Sequence, residues 1–315
     1  MYHPYFRGKQ YELITIREMA PLMSKAGFRA IIEPVRDGLK SLHKTLKAVA
    51  DADGRAVLIV NPHHGELAED RTPVTALLKA EFQEFPNISA GILLKPDVTV
   101  DEAWDLYQEH ADHAPVLVHA GFSDAKALLA RLGEPNKDQC HIFIENFCVT
   151  LYRKQFKGAH CVLVRDGFKR QRNADYDPIE SFSDLHATFD SEHGMDGFGD
   201  FLIVGDGFSE SGGPAYAVAI HLTFIDPERF DEMRIYHFKS DTQDTPKDPA
   251  GKFAEALAKM MAAVEKPESR ILKTNAVKEF QSLHRQGHFP GLGYVKKLSM
   301  NHHIETLAEY FKAPV

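Results

Sequence analysis

Apolar residues in this sequence fall into short runs that end alike: four or five aliphatic or aromatic positions, one polar residue, then proline, glycine or another turn former. "AIIEPV" ends its run at Glu33, "AVLIVNP" at Asn61, "AGILLKP" at Lys95, "PVLVHAG" at His119 and "IFIENF" at Glu145. "CVLVRDG" ends at Arg165 and Asp166, "FLIVGDG" at Asp206, and a weaker run, "YHPYF", precedes Arg7. Runs this short, β-branched and bounded by turn formers predict eight strands buried on both faces.

Successive strand ends lie roughly 20 to 40 residues apart, and most gaps hold a segment of helical periodicity. "QYELITIREMAPLM", "RDGLKSLHKTLKAVA", "TPVTALLKAEFQEF", "TVDEAWDLYQEHA" and "SDAKALLARL" follow the first five strands. Asp101 and Glu102 suit the positive end of the fourth helix, and Ser123 is a natural N-cap for the fifth. Buried strands alternating with amphipathic helices predict a parallel sheet, and eight such units predict a (β/α)8 TIM-type barrel. No strand carries a GxGxxG turn, which counts against a dinucleotide-binding open sheet.

Past the eighth strand the pattern changes. "AYAVAIHLTFID" and "MRIYHF", separated by "PERFDE", predict a β-hairpin insertion over residues 215–238. "PAGKFAEALAKMMAAVE" is expected to complete the eighth unit. "TNAVKEFQSLH" and "SMNHHIETLAEYF" predict a helical extension, 266–315, packed on the barrel. His302 and His303 on the last helix read as structural, one facing the core and one solvent. No low-complexity linker interrupts the chain, so residues 1–315 read as a single domain.

Composition narrows the class without naming it. The chain has 315 residues, 43 % hydrophobic and 26 % charged, as expected of a globular protein. A net charge of −8 argues against broad coating of nucleic acid. No apolar stretch is long enough to span a membrane, and "MYHPYFRGKQYE" lacks the apolar core of a secretory signal. Three cysteines, Cys140, Cys148 and Cys161, show no CxxC spacing and suit reduced thiols in a cytoplasmic setting.

A barrel gives the polar strand ends a common location, because the loops at the C-terminal ends of its strands converge on one mouth. Glu33, Asn61, Lys95, His119, Glu145, Arg165, Asp166 and Asp206 are therefore expected around one pocket. Glu145 and His119 are the candidate general acid and base, and Glu33 or Asp166 would orient them. Lys95 reads as a cation paired with Glu33, Glu145 or Asp166, placed to stabilise developing negative charge. Lys9, just past the first strand, is within reach of the mouth.

Two loops bear on the substrate. "RDGFKRQRN" supplies Arg165, Lys169, Arg170 and Arg172; "GDGFSESGGPA" supplies Ser209, Ser211, Gly212 and Gly213. Cations, hydroxyls and glycine-exposed amides after the seventh and eighth strands are the usual means by which such barrels bind phosphate. "NPHHGE" adds His63, His64 and Glu66, but neither an HxH strand nor an HExxH helix is present, so no tightly bound metal and no cofactor are expected.

The segments "HPYFRGKQYE", "GDFLIVGDGFSESGGPAYAVAIHLTFID", "IYHFKSD" and "GHFPGLGYVKKLSMNHHIE" resemble a poorly characterised bacterial family that is distantly similar to the phage beta-protein family. The resemblance spans nearly the whole chain. It implies association with mobile or phage-defence gene neighbourhoods, and hence a partner protein from the same neighbourhood; it brings no map of catalytic residues.

Three functions remain open. The first is an enzyme, a hydrolase or lyase, acting on a small phosphorylated or otherwise anionic substrate of the nucleotide or phosphodiester class. The second is a non-catalytic binding or regulatory component of a bacterial defence or conflict system. The third is a metal-dependent hydrolase using His63, His64, His119 and Glu145.

Overall fold

The structure, a computed structural model, describes residues 1–210, 213 and 215–312. The contacts divide the chain into two compact units, Met1–Asp166 with Thr188–Phe201, and Gly167–Ala187 with Leu202–Val315. The sequence alone suggested one domain.

The first unit is a (β/α)8 TIM-type barrel. Its strands are β1 (Tyr5–Phe6), β2 (Arg29–Ile32), β3 (Arg55–Ile59), β4 (Ile88–Leu94), β5 (Val116–His119), β6 (Cys140–Ile144) and β7 (His160–Arg165). β8 (Ile179–Ser183) belongs to the second unit, and β9 (Gly197–Asp200) is the eighth barrel strand. Neighbours pair in parallel in the order β1-β2-β3-β4-β5-β6-β7-β9. Helices α1 (Gln10–Lys25), α2 (Lys40–Asp51), α3 (Thr72–Glu81), α4 (Val100–Glu109) and α5 (Ala125–Leu132) follow β1 to β5, and the single turn α6 (Thr150–Arg153) follows β6.

Side chains alternate along these strands between the lumen and the helix layer. Tyr5, Ile31, Val57, Ile59, Leu93, Val116, Val118, Ala120, Ile142, Ile144, Val162, Val164 and Phe201 form one buried cluster that fills the lumen. This alternation decides where each strand-end residue points.

The closing strand is not the apolar run "FLIV" expected from the sequence. β9 is the preceding "GFGD", and Leu202–Val204 form a turn, with Leu202 at φ +49°. Closure explains why. His3 N–H donates to the Phe198 carbonyl at 2.7 Å and Phe198 N–H to the Met1 carbonyl at 2.9 Å, joining the two ends of the sheet. A Cβ on Gly199 would stand 2.1 Å from the His3 carbonyl oxygen, and one on Gly197 would stand 2.6 Å from that of Met1. Only glycine fits there. Asp206 is therefore no strand-end residue; it lies six positions beyond Asp200, in the second unit.

The second unit is built on a three-stranded antiparallel sheet in the order β10-β11-β8, with β10 (Ala219–Asp226) and β11 (Glu232–Lys239) forming the expected hairpin. Phe230 and Asp231 in its turn adopt left-handed backbone, at φ +58° and +63°. β8 was not legible as a strand, because "IESFS" offers no apolar run. After the short α7 (Leu185–Thr188) come α8 (Pro249–Val264), α9 (Asn275–Gln286) and α10 (Leu292–Tyr310). The sequence assigned α8 to the eighth barrel unit, but it shares a core with the hairpin: Ile220, Leu222 and Phe238 pack with Phe253, Leu257, Met260, Phe280 and Leu298. Both histidines of α10 are buried, correcting the expectation that one faces solvent. His302 bonds the Thr274 hydroxyl (2.8 Å) and the Thr223 carbonyl (2.8 Å), and His303 the Thr223 hydroxyl (2.9 Å).

Candidate functional site at the barrel mouth

Glu33 follows β2 on the lumen side, two positions after Ile31, and is 0 % exposed. A carboxylate so placed must be satisfied by donors or lose its charge. Glu33 is surrounded by them. Tyr5 donates its hydroxyl to Oε2 at 2.8 Å, and the Arg7 guanidinium makes an ion pair with the same oxygen. The other oxygen, Oε1, accepts the His63 backbone N–H at 3.0 Å and lies 3.0 Å from His64 Nδ1. Burial alone would raise its pKa; the His64 hydrogen bond and the charge of Arg7 outweigh it and bring the group down to about 2. Glu33 is thus a fixed anion at neutral pH, suited to orienting a base and unable to serve as an acid.

The loop carrying His63 and His64 is held in place by its neighbours. Gly65 lies at φ +76°, and a Cβ there would stand 2.2 Å from the Val35 carbonyl oxygen, so the β3 loop presses on the β2 loop where only glycine fits. Glu66 fastens the contact: its N–H donates to the Val35 carbonyl (3.1 Å), and its carboxylate accepts from Arg36 (2.6 Å) and from the Asp37 N–H (2.9 Å). His64 is one-quarter exposed, with Nδ1 on Glu33. A carboxylate on one ring nitrogen fixes the tautomer. Exposed His63 packs edge-on against the His64 ring; its pKa is lowered by partial burial and by the nearby charge of Lys95.

Lys95 directly follows β4, on the lumen side after Leu93. Its Nζ lies 5.2 Å from the centre of the Phe147 ring. The expected pairing with Glu33, Glu145 or Asp166 does not form, and among the described residues no carboxylate lies within ion-pair distance of Lys95. Glu33 is committed to Arg7 and His64, and Glu145 to Arg165.

Glu145 and His119 are the main corrections. Glu145 follows Ile144, a lumen residue, and so falls on the opposite alternation from Glu33. It accepts two bonds from Arg165, Nε at 2.5 Å and Nη2 at 3.0 Å, and neither Lys95 nor His119 is its partner. Arg165 also lies 3.3 Å from His193 Nε2, so this cation is engaged locally. His119 sits between lumen residues Val118 and Ala120 and therefore faces outward, 0 % exposed. Its Nδ1 meets the Tyr152 hydroxyl at 2.7 Å and its Nε2 meets His141 Nδ1 at 3.0 Å, in a cluster with Phe143 and Phe156. Burial, reinforced by His141, pushes its pKa well below the ordinary value. It is a packing residue.

Asn61 is also structural. Its amide donates to the Leu93 carbonyl (2.9 Å) and accepts the Leu93 N–H (2.8 Å), extending the β3–β4 ladder with a side chain. Asp166 continues the lumen alternation of Val162 and Val164 and is partly buried. Lys9 caps α1 and is partly buried.

The residues proposed to bind phosphate belong, apart from Arg165, to the second unit. Lys169 is exposed, Arg170 donates to the Gly207 carbonyl at 2.8 Å, and Arg172 is paired with Asp175 at 2.7 Å. Asp206 and Ser209 are partly buried, Gly213 is exposed, and Ser211 and Gly212 lie outside the described residues. Three of the four expected cations, Arg165, Arg170 and Arg172, thus spend their charge or donors within the protein.

Tyr5 and Arg7 were not recognised as site residues, and His63 and His64 were weighed only as metal ligands. Arg7 had a usable signal, since it ends the first run as Glu33 ends the second. The metal set of His63, His64, His119 and Glu145 does not assemble, because His119 is buried on the outer face and Glu145 is held by Arg165. Among the described residues no three His, Cys, Asp or Glu side chains are grouped to hold a metal ion, and no helix is long and apolar enough to cross a membrane. No protein-family model matches the chain, and no curated protein matches it.

Proposed function

We propose that the first unit is a barrel enzyme acting on a small phosphorylated or similarly anionic substrate by general acid–base chemistry at the mouth formed by the β2, β3 and β4 ends. The observation that carries this reading is the His64–Glu33 contact of 3.0 Å beside His63, whose imidazole feels the nearby charge of Lys95, a cation that makes no ion pair among the described residues. His64 transfers the proton, Glu33 fixes its tautomer, and Lys95 holds the anionic group and offsets developing charge. Arg7 keeps Glu33 ionised. In this reading Glu145 and His119 support the wall and do not touch substrate.

The working setting is the cytoplasm, and a partner protein from the same gene neighbourhood is expected, as the resemblance to the poorly characterised bacterial family implies. A non-catalytic binding or regulatory role draws support from one observation: Asn61, His119, Glu145 and Arg165, four of the strand-end polar residues, are committed to structural bonds.

Turnover of a panel of phosphate monoesters, phosphodiesters and nucleotides separates the two. The enzyme reading expects hydrolysis or elimination on at least one of them. It also expects His64→Gln to lower kcat by about 10²-fold or more, the usual scale of a lost acid–base group. Binding without turnover by the wild type supports the non-catalytic role, and neither binding nor turnover removes the anionic-substrate reading altogether.

A further inference from the structure

Phe147 is an aromatic residue that the barrel holds in solvent. It is 48 % exposed, whereas Phe143, four positions earlier on β6, is fully buried. A loosely held loop would not explain this, because the turn that carries it, Glu145–Phe147, is fastened at three points. Arg165 grips the Glu145 carboxylate, the Cys148 N–H donates to the Glu145 carbonyl at 3.1 Å, and the Cys148 thiol lies 3.2 Å from the His119 carbonyl. Leaving such a ring half-exposed forgoes roughly half of the ~1.5–3 kcal/mol that full burial gives. The fold maintains that cost.

What lies beside the ring gives it a use. Lys95 leans towards it from β4, with β5 between them in the sheet, and the β5 end offers only Ala120 and Gly121. Gly121 lies at φ +107°, and a Cβ there would meet Pro96 Cγ at 2.9 Å, so no larger residue fits in this gap. A cation with no ion pair among the described residues thus lies over one face of a half-exposed aromatic ring at one edge of the mouth, beside a strand end without bulk. A positive group for an anion and a π-face for a flat ring are the two elements that recognise a nucleotide, whose bases stack on aromatic side chains irrespective of sequence.

We infer that Phe147 is a stacking platform and that the substrate is an anion bearing a flat aromatic group, a nucleoside phosphate, with its phosphate on Lys95 and its base on Phe147. This rests on the anionic-substrate reading of the same mouth and narrows it. It makes Phe147 a specificity residue with no part in proton transfer.

Titration of AMP against ribose 5-phosphate, which keeps the phosphate and lacks the base, tests the inference. Wild type is expected to prefer AMP by about 10-fold or more, the scale of one base–aromatic stack. Phe147→Ala should bring the two ligands within about twofold of each other, and Phe147→Trp should retain the preference. In Phe147→Trp, AMP should also quench the new indole beyond any change of Trp104, the only native tryptophan. Equal binding of both ligands by wild type, or an AMP preference that survives Phe147→Ala, overturns the stacking inference while leaving the anion site intact. Failure of both ligands to bind wild type overturns the inference together with the reading beneath it.

Discussion

The neighbourhoods of Glu33 and Glu145 look alike in sequence and do different work. Each glutamate ends an apolar strand, in "AIIEPV" and "IFIENF". In the first, Ile31 faces the lumen, so Glu33 does too and meets Tyr5, Arg7 and His64. In the second, Ile142 and Ile144 face the lumen, so Glu145 falls on the outer alternation and meets Arg165 at the barrel rim. One step of register separates a fully buried anion held by Tyr5, Arg7 and His64 from a partly exposed one held by Arg165. A strand that is apolar on both faces hides that step from the sequence.

The sharpest way to break this comparison is to neutralise both carboxylates. Glu33→Gln breaks the buried ion pair with Arg7, and removing one member of a buried pair typically costs about 3–5 kcal/mol. Glu145→Gln disrupts a partly exposed pair and should cost about 1 kcal/mol or less. Urea unfolding followed by the fluorescence of Trp104, which lies on α4 in the barrel unit, measures both. Comparable losses for the two variants would contradict the difference drawn here.

Acid titration gives a second, somewhat smaller contrast. Glu33 has a folded pKa of about 2 against an ordinary 4.5, so its stabilisation is present above pH 4.5 and lost as pH falls towards 2. At about 1.4 kcal/mol per unit the swing is about 3 kcal/mol, and Glu33→Gln should abolish it. His141 titrates in a different window. Burial lowers its pKa from 6.5 to about 4, so the unfolded chain binds the proton first, and stability falls as pH drops from 6.5 to 4. In His141→Phe, stability measured across that window should depend less on pH, by up to one proton. An unchanged slope would mean that the outer cluster does not hold this histidine neutral.

The smallest expected effect is on activity. With substrate turnover in hand, Glu145→Gln should retain kcat within about threefold, because its carboxylate lies with Arg165 rather than with His64 or Lys95. A fall of about 10²-fold would restore Glu145 to acid–base work.

Much of the barrel was legible, because seven of its strands are apolar runs ended by a polar residue. The eighth was not: closure selects "GFGD" for its missing side chains, and strand propensity disfavours glycine. The candidate site was half legible. Position after a strand identified Glu33 and Lys95, while facing, which depends on register, sorted them from His119 and Glu145; Asn61 shares their side but spends its amide on the Leu93 backbone. His64 is set by the press of Gly65 on Val35, a contact between two loops that no local pattern encodes. The expected phosphate loops met a different limit, since Arg172 is paired with Asp175 three residues on and Arg170 donates to the Gly207 carbonyl of the other loop.

The central claim, that the β2–β4 end of the barrel is where the protein meets an anion, is tested most directly by a crystal soaked with phosphate. Phosphate within hydrogen-bond distance of Lys95 Nζ, lost in Lys95→Met, is the predicted result. Phosphate bound only beside Arg170 and Ser209, with Lys95 uninvolved, would contradict the claim.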